Sequence, residues 1–278
     1  MQHFESSYST HDGKKLFLQA WLPEKARASM LLVHGLGEHS GRYADFAGKL
    51  VEAEIAVFTF DGRGHGNSES KQPTAFYESA EDYLTDIEML FGKAKNYLAG
   101  IPAFIYGHSM GGGLVAAFVL KRKPDAAGVI LSSPAIKEAD GTSKLLIAVS
   151  DLVSRYLPKL KALKLDITGI SRVPEEVEKY KADPLIYQVS IPARTGTELY
   201  RQMKYIQSHA AEFRLPLLIL HGDADRLTNP KGSQLLFEKA SSKDKTLEIF
   251  PGGYHELIRD LEAERYQTLI LDWLEKRI

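Results

Sequence analysis

Gly107-His108-Ser109-Met110-Gly111 lies between the apolar run Phe104-Ile105-Tyr106 and the helix-like segment Gly112–Lys121, and no other feature restricts the fold of this chain as tightly. A serine on a sharp strand-to-helix turn takes a strained backbone, so the residues two positions away must lack a Cβ. Gly107 and Gly111 meet that need. The turn lifts the Ser109 hydroxyl to the edge of a sheet, and the helix that follows directs its first amides and positive dipole end at any anion forming there. This is the context that a G-x-S-x-G nucleophile elbow requires. The plain alternative is a glycine-rich turn carrying an incidental serine.

The rest of the chain supplies the matching pattern. Met30–Val33, Ala56–Phe60, Ala103–Tyr106, Val129–Leu131 and Leu215–Leu220 are short apolar runs, as expected of strands covered on both faces in a parallel sheet. Helices are expected between them at Tyr43–Ala53, Ala80–Leu98 and Met110–Lys121, and later at Pro230–Ala240 and Ala263–Arg277. The opening reads as a hairpin, Phe4–Thr10 turning at Asp12-Gly13 into Leu16–Trp21, with Asp-Gly supplying the positive φ angles of a tight turn. This alternation is α/β. Between Ala135 and His209 it stops: apolar residues recur at helical spacing without a convincing strand, and Pro158, Pro174, Pro184 and Pro192 divide the segment. Residues 135–209 are therefore expected to form a helical cap over the C-terminal edge of the sheet, where open α/β sheets bind ligands, with 1–134 and 210–278 as the core.

Composition narrows the chemistry. The 278 residues, 44% of them hydrophobic, are enough for a substantial core. A formal charge of −1 offers no field for polyanions, so nucleic acid is not an expected partner. The absence of cysteine removes disulfides, thiolate catalysis and cysteine-ligated metals. The N-terminus shows no basic segment followed by an apolar run, and no stretch approaches a membrane span, so a soluble, cytoplasmic protein is the expectation.

A serine hydroxyl is a weak nucleophile at neutral pH and needs a base held by a carboxylate. Around such an elbow the chain order is serine, acid, histidine, so both partners follow residue 109. Leu215–Leu220 leads into His221-Gly222-Asp223-Ala224-Asp225-Arg226, which puts Asp223 and Asp225 just past a strand's end, where either could reach a histidine. Among His209, His221 and His255, the last stands in the loop after the strand-like Thr246–Phe250 and can overhang the same edge as Ser109. His221 abuts its strand and is expected in a packed or backbone-bonded role. Two N–H donors are needed for a tetrahedral oxyanion. Met110 follows the nucleophile, and Leu36 lies in the loop after Met30–Val33. His34 and His39 have no helical ligand spacing and no carboxylate cluster, so they read as structural, and no metal site is expected.

His34-Gly35-Leu36-Gly37-Glu38-His39-Ser40-Gly41-Arg42-Tyr43, Phe60-Asp61-Gly62-Arg63-Gly64-His65-Gly66-Asn67-Ser68 and Gly107–Gly112 together resemble the monoacylglycerol lipase and lysophospholipase branch of the serine α/β-hydrolases. The likeness extends along nearly the whole chain. It implies an α/β-hydrolase fold, a mostly parallel sheet flanked by helices. It places the acid in the A-D-R-L segment Ala224–Leu227 and the base in the G-x-Y-H segment Gly252–His255, favouring Asp225 over Asp223. Glu38 and Arg42 would then help bind a glycerol headgroup, against the alternative that they form an ion pair bracing their loop. Asp61 and Arg63 would brace the next loop. Some members carry a second histidine three residues after the base, where this chain has Ile258.

The activity so implied is a serine carboxylester hydrolase for monoacylglycerol-like or lysophospholipid-like esters, without metal or organic cofactor. Ser109 attacks, His255 moves the proton, Asp225 orients His255, and Leu36 and Met110 hold the oxyanion. A peptidase or thioesterase with the same triad is the alternative, and a non-catalytic receptor on this scaffold a third reading. In the cap, Leu145, Leu146, Val149, Leu152, Val153, Tyr156 and Leu157 form one stripe of a helix about four turns long, capped near Gly141-Thr142-Ser143 and stopped by Pro158. Such a stripe is expected to pack on the core. The second reading has part of it lining an acyl tunnel and part facing an anionic membrane, with Arg155, Lys159, Lys161 and Lys164 as a basic fringe and the substrate entering from the bilayer.

Overall fold

Met30 and Leu32 bury into one apolar cluster and Leu31 and Val33 into another, so a single uninterrupted hydrophobic run feeds two cores. A period of two does this when both faces of a strand are covered. The computed structural model describes residues 1–69, 72–138, 144–163 and 166–278, with the side chains of 144–149 and 163 left out. Its strands are β1 (Gln2–Ser9), β2 (Lys15–Leu22), β3 (Ala28–Val33), β4 (Ile55–Phe60), β5 (Ala103–His108), β6 (Gly128–Ser132), β7 (Lys161–Leu163), β8 (Ile191–Pro192), β9 (Leu217–Gly222) and β10 (Lys245–Phe250). The helices are α1 (Ala44–Glu52), α2 (Ala80–Tyr97), α3 (Met110–Arg122), α4 (Lys144–Tyr156), α5 (Pro174–Ala182), α6 (Ala193–His209), α7 (Pro230–Lys239) and α8 (Ala263–Glu275).

Eight strands form one sheet in the order β1-β2-β4-β3-β5-β6-β9-β10. All neighbours from β4 to β10 pair in parallel, whereas β2 runs antiparallel to both β1 and β4. The fold is that of the α/β-hydrolases. Leu84, Leu114 and Leu236 of α2, α3 and α7 cover one face. Phe46 and Leu50 of α1 and Ile270 and Trp273 of α8 cover the other. Every strand and helix expected in the core is present, with ends shifted by a residue or two.

The hairpin differs from expectation in its turn. Only Gly13 takes a positive φ, at 80°. The connection is a wider loop closed by Thr10 N–H donating to Lys14 O at 2.8 Å and Gly13 N–H to Thr10 O at 3.0 Å, a geometry that needs one left-handed residue instead of two.

Between β6 and β9 the chain carries α4, α5 and α6, and also the antiparallel pair β7–β8. That pair corrects the expectation of a strand-free segment. Its strands are three and two residues long, too short for an alternating pattern to show. Ile170, Val177, Tyr180 and Ile186 make a small separate cluster there, while Ile206 of α6 joins the main core.

Helix α4 ends as expected, with Leu157 N–H bonded to Val153 O at 2.7 Å just before Pro158. Its stripe does not pack down as a unit. Leu152, Tyr156 and Leu157 are 61%, 68% and 58% exposed, whereas Val153 faces an internal cavity. The capping residues Gly141-Thr142-Ser143, the side chains of Leu145, Leu146 and Val149, and Lys164 lie outside the described residues. No described helix is long and apolar enough to cross a membrane.

Candidate active site

Ser109 sits at φ 54°, ψ −118°, between the end of β5 and the start of α3. A side chain is sterically disfavoured in that backbone, and the surroundings hold it there. Ser109 N–H donates to Ser132 O at 2.9 Å, and its carbonyl accepts from Gly113 and Ala135 at 3.0 and 2.9 Å. A Cβ on Gly107 would stand 2.6 Å from Gly111 O, and one on Gly111 would collide with the Val33 carbonyl. Both glycines are therefore steric requirements of the elbow.

His255 comes from the loop after β10 and lies between the two other expected partners. Its Nε2 is 2.8 Å from Ser109 Oγ, and its Nδ1 donates to Asp225 Oδ2 at 2.7 Å. With the proton on Nδ1, Nε2 is left as the acceptor for the serine hydroxyl. The His255 carbonyl accepts from Ser133 Oγ at 2.7 Å, and its N–H donates to Gly169 O at 3.3 Å, which fix the loop. Asp225 is buried and saturated. Its Oδ1 accepts the Leu227 and Thr228 amides at 2.7 and 3.0 Å, and its Oδ2 accepts Thr228 Oγ1 at 2.8 Å and His221 Nε2 at 3.1 Å. Asp223 instead accepts Gly252 N–H at 2.6 Å, away from the imidazole.

Burial works against charge on both partners of the His255–Asp225 pair, and their mutual attraction overrides it. Despite desolvation, the imidazole's field and hydrogen bonds hold Asp225 far below the usual carboxylate range, and Asp225 raises His255 above the ordinary imidazole value. His108, beside Ser109, is pushed down to about 4 by burial and by His255. It stays neutral.

Leu36 and Met110 both line the cavity beside Ser109. The loop holding Leu36 rests on a buried polar bridge. Glu38 Oε1 accepts Gly35 N–H at 2.6 Å and Tyr43 Oη at 2.7 Å, and its Oε2 accepts Arg42 Nη1 at 2.6 Å. Arg42 reaches on to Glu256, with Nη1 and Nη2 each 2.7 Å from a carboxylate oxygen, and its guanidinium lies 4.7 Å from the Tyr180 ring centre. Arg259 donates to the Arg42 carbonyl and to Glu256. Against the desolvation that opposes ionisation, Arg42 holds both Glu38 and Glu256 below the usual carboxylate range. Glu38 thus reaches the cavity wall with both oxygens engaged, while Arg42 is turned toward Glu256 and does not line the cavity.

The other polar residues of the early loops are engaged in bracing. His34 Nδ1 donates to Gly35 O at 2.7 Å and its Nε2 accepts Gly62 N–H at 2.9 Å. His39 donates to Asp183 Oδ2 at 2.8 Å, and Tyr187 N–H to Gly37 O at 2.7 Å, so the segment after α5 is bonded to the Leu36 loop. Asp61 accepts from Ser40 and Asn67, and Arg63 clamps Asp12 and Asp86. Ile258 is buried in the core. His221 pairs with Ser233 and Asp225 side chains, not with backbone. Among the described residues no cluster of three potential ligands could hold a metal.

Over Ser109 lies a cavity of about 750 Å³, floored by Leu36, Met110 and His255 and roofed by Val153, Leu160, Ile167 and the α6 face from Ala193 to Met203. Most of the lining is apolar. Ser109 and His255 reach into it, so a bound carbonyl would meet the hydroxyl between largely apolar walls.

Sequence reasoning missed Glu256, Arg259 and Thr228. Glu256 had a signal, a lone acid directly after the expected base, but its link to Arg42 spans 214 positions and is visible only in space.

Residues 24–262 match a family profile described as "Serine aminopeptidase, S33". The chain is 35% identical over 269 residues to the monoacylglycerol lipase of Mycolicibacterium smegmatis, covering 96% of this chain and 94% of that protein. It is 36% identical over 256 residues to human monoglyceride lipase, covering 90% and 82%. Among solved structures, Paleococcus ferrophilus monoacylglycerol lipase superposes over the full length of both chains with a TM-score of 0.83 and 33% identity. The chain therefore belongs to the serine α/β-hydrolase family that includes the monoacylglycerol lipases.

Proposed function

We propose that Ser109, His255 and Asp225 are the triad of a carboxylester hydrolase that cleaves monoacylglycerol-like or lysophospholipid-like esters. The observation that carries this reading is His255 bridging Ser109 and Asp225 on the floor of an apolar cavity. Ser109 Oγ adds to the ester carbonyl carbon as its proton passes to His255 Nε2, and the amides of Leu36 and Met110 receive the oxyanion. Collapse breaks the bond to the alcohol, which leaves with the proton from His255. Water then enters by the same route in reverse and frees the acid.

Two features support a lipid ester over an aminopeptidase substrate. The lining suits an acyl chain, and two relatives covered over most of both chains are named for monoacylglycerol or monoglyceride. A free peptide N-terminus needs an uncommitted carboxylate, yet among the described residues that line the cavity Glu38 and Glu256 are taken by Arg42, and Glu138 by Lys204. On this reading Glu38 and Arg42 act chiefly by bracing the oxyanion loop, the role their bonds support better than headgroup binding. Residues 135–209 serve as a lid, and the outward Leu152, Tyr156 and Leu157, fringed by Arg155, Lys159 and Lys161, dock weakly on anionic bilayers from which substrate enters.

The test is hydrolysis of a panel of monoacylglycerols, lysophospholipids, p-nitrophenyl esters and aminoacyl amides, with fluorophosphonate labelling of wild type and Ser109→Ala. Turnover of monoacylglycerol with labelling lost in the variant is the expected result. Preferential cleavage of aminoacyl amides overturns the substrate class, and labelling retained in the variant overturns the nucleophile.

A further inference from the structure

Helix α6 turns one face to the cavity through Ala193, Gly196, Thr197, Tyr200 and Met203, at helical steps of three and four. The opposite side carries the buried Thr195, Gln202 and Ile206. Gly196 is the anomaly on the cavity face. Its φ is not in the left-handed region and it is neither a cap nor a turn. A glycine inside a helix destabilises it relative to alanine, so its retention calls for a spatial reason. Close packing is not that reason: among the described residues, a Cβ built on Gly196 meets no atom within 4 Å. Gly48 of α1 and Gly92 of α2 have the same open space, but neither lines the cavity. At Gly196 the open space belongs to the chamber above Ser109, next to Thr197, whose hydroxyl is 3.4 Å from Ser150 O of α4. This is where the roof helices α4 and α6 meet, and Gly196 lines the chamber there, so an added side chain takes up chamber volume.

We propose that Gly196 determines acyl-chain selectivity: the missing side chain keeps the roof end of the cavity open, so that a long acyl chain whose carbonyl sits at Ser109 has room to extend beneath α6. The inference rests on the ester-hydrolase reading and names the residue that tunes it. A side chain at this position shortens the chamber without touching the elbow, the His255 loop or the oxyanion loop. It therefore penalises long acyl chains far more than short ones.

The experiment measures kcat/KM for p-nitrophenyl butyrate and palmitate in wild type, Gly196→Ala, Gly196→Val and Gly196→Phe, with Gly92→Val as the control for a helix glycine outside the cavity. The palmitate-to-butyrate ratio is expected to fall in the order Ala, Val, Phe, by about tenfold or more for Phe, and to stay at the wild-type value in the control. Gly196→Ala also raises Tm, since it removes the helix penalty without a clash among the described residues, and butyrate turnover retained in the Val and Phe variants shows that they fold. A ratio unchanged across the Gly196 series, or one that shifts equally in the control, overturns the inference while leaving the hydrolase reading intact. A wild-type chain that neither hydrolyses esters nor takes up a fluorophosphonate removes the hydrolase reading and this inference with it.

Discussion

The loops beneath Ser109 and the helix α4 above it face one cavity and are built in opposite ways. Beneath, each charged group is buried and paired, from Glu38 through Arg42 to Glu256 and from Asp225 to His255. Above, α4 presents Leu152, Tyr156 and Leu157 to the outside, and among the described residues its Ser154 bonds Arg194 of α6. The difference teaches where precision is needed. A nucleophile, a base and two oxyanion donors must hold sub-ångström geometry, which saturated hydrogen bonding enforces. A roof that admits a flexible chain needs only shape and low polarity.

The largest effects are expected on the floor, at the triad. Ser109→Ala should abolish ester hydrolysis with no change in far-UV circular dichroism, because the hydroxyl alone can form the acyl-enzyme. Asp225→Asn should lower kcat by about four orders of magnitude, as loss of the orienting carboxylate does in other triads. Asp223→Asn, whose side chain accepts the Gly252 amide away from the imidazole, should lower it by less than about tenfold. A larger loss at Asp223 than at Asp225 would reassign the acid.

Next in size comes the bridge. Arg42→Ala leaves Glu38 and Glu256 facing each other in a buried site, and breaking such a pair costs about 3–5 kcal/mol, readable by urea denaturation. The bridge also carries a pH signature. Because the folded protein holds both carboxylates below their usual range, their stabilisation is complete above the unfolded value of about 4.3 and is lost as pH falls below it. Glu256→Gln removes one of the two groups, so its stability should fall less steeply between about pH 5 and 3 than that of wild type. Parallel slopes would remove Glu256 from the linkage.

His255 gives a third, smaller signature, in rate. Asp225 raises its pKa above the ordinary imidazole value of about 6.5, and only the neutral ring can take the serine proton. The acid limb of kcat/KM should therefore have its midpoint above about 6.5 and move down in Asp225→Asn. A wild-type midpoint below that value would mean that another group sets the limb.

Floor and roof also differ in how far the sequence reveals them. The elbow is legible because Gly107, Ser109 and Gly111 solve a local steric problem, and local problems leave local signatures. His255 and Asp225 are legible by chain order, although choosing Asp225 over Asp223 needed the resemblance; in space, the choice follows from which carboxylate reaches Nδ1. The bridge was half legible: Glu38 and Arg42 stand four apart and invite an ion pair, but Glu256 joins them only through the fold. Least legible was the roof. Periodicity marks an apolar stripe on α4 without saying what it faces, and the described part of the stripe divides between the cavity at Val153 and the outside at Leu152, Tyr156 and Leu157.

The smallest effect in stability tests that division most directly. Replacing Leu152, Tyr156 and Leu157 together by serine removes largely exposed apolar surface, so the unfolding free energy from urea denaturation should change by no more than about 0.5 kcal/mol per substitution. Hydrolysis of a water-soluble butyrate ester should stay within about twofold of wild type, since none of the three lines the cavity. Sedimentation with anionic vesicles should weaken, as should turnover of monoacylglycerol presented in those vesicles, because the lost area and the neighbouring Arg155, Lys159 and Lys161 act together at a lipid surface. High salt should weaken wild-type binding by screening the basic fringe, and neutral vesicles should bind less than anionic ones. Stability that collapses in the triple variant would mean that the outer stripe is core after all. Vesicle binding that is absent in wild type, or unchanged in the variant, would leave α4 as a roof that never meets a membrane.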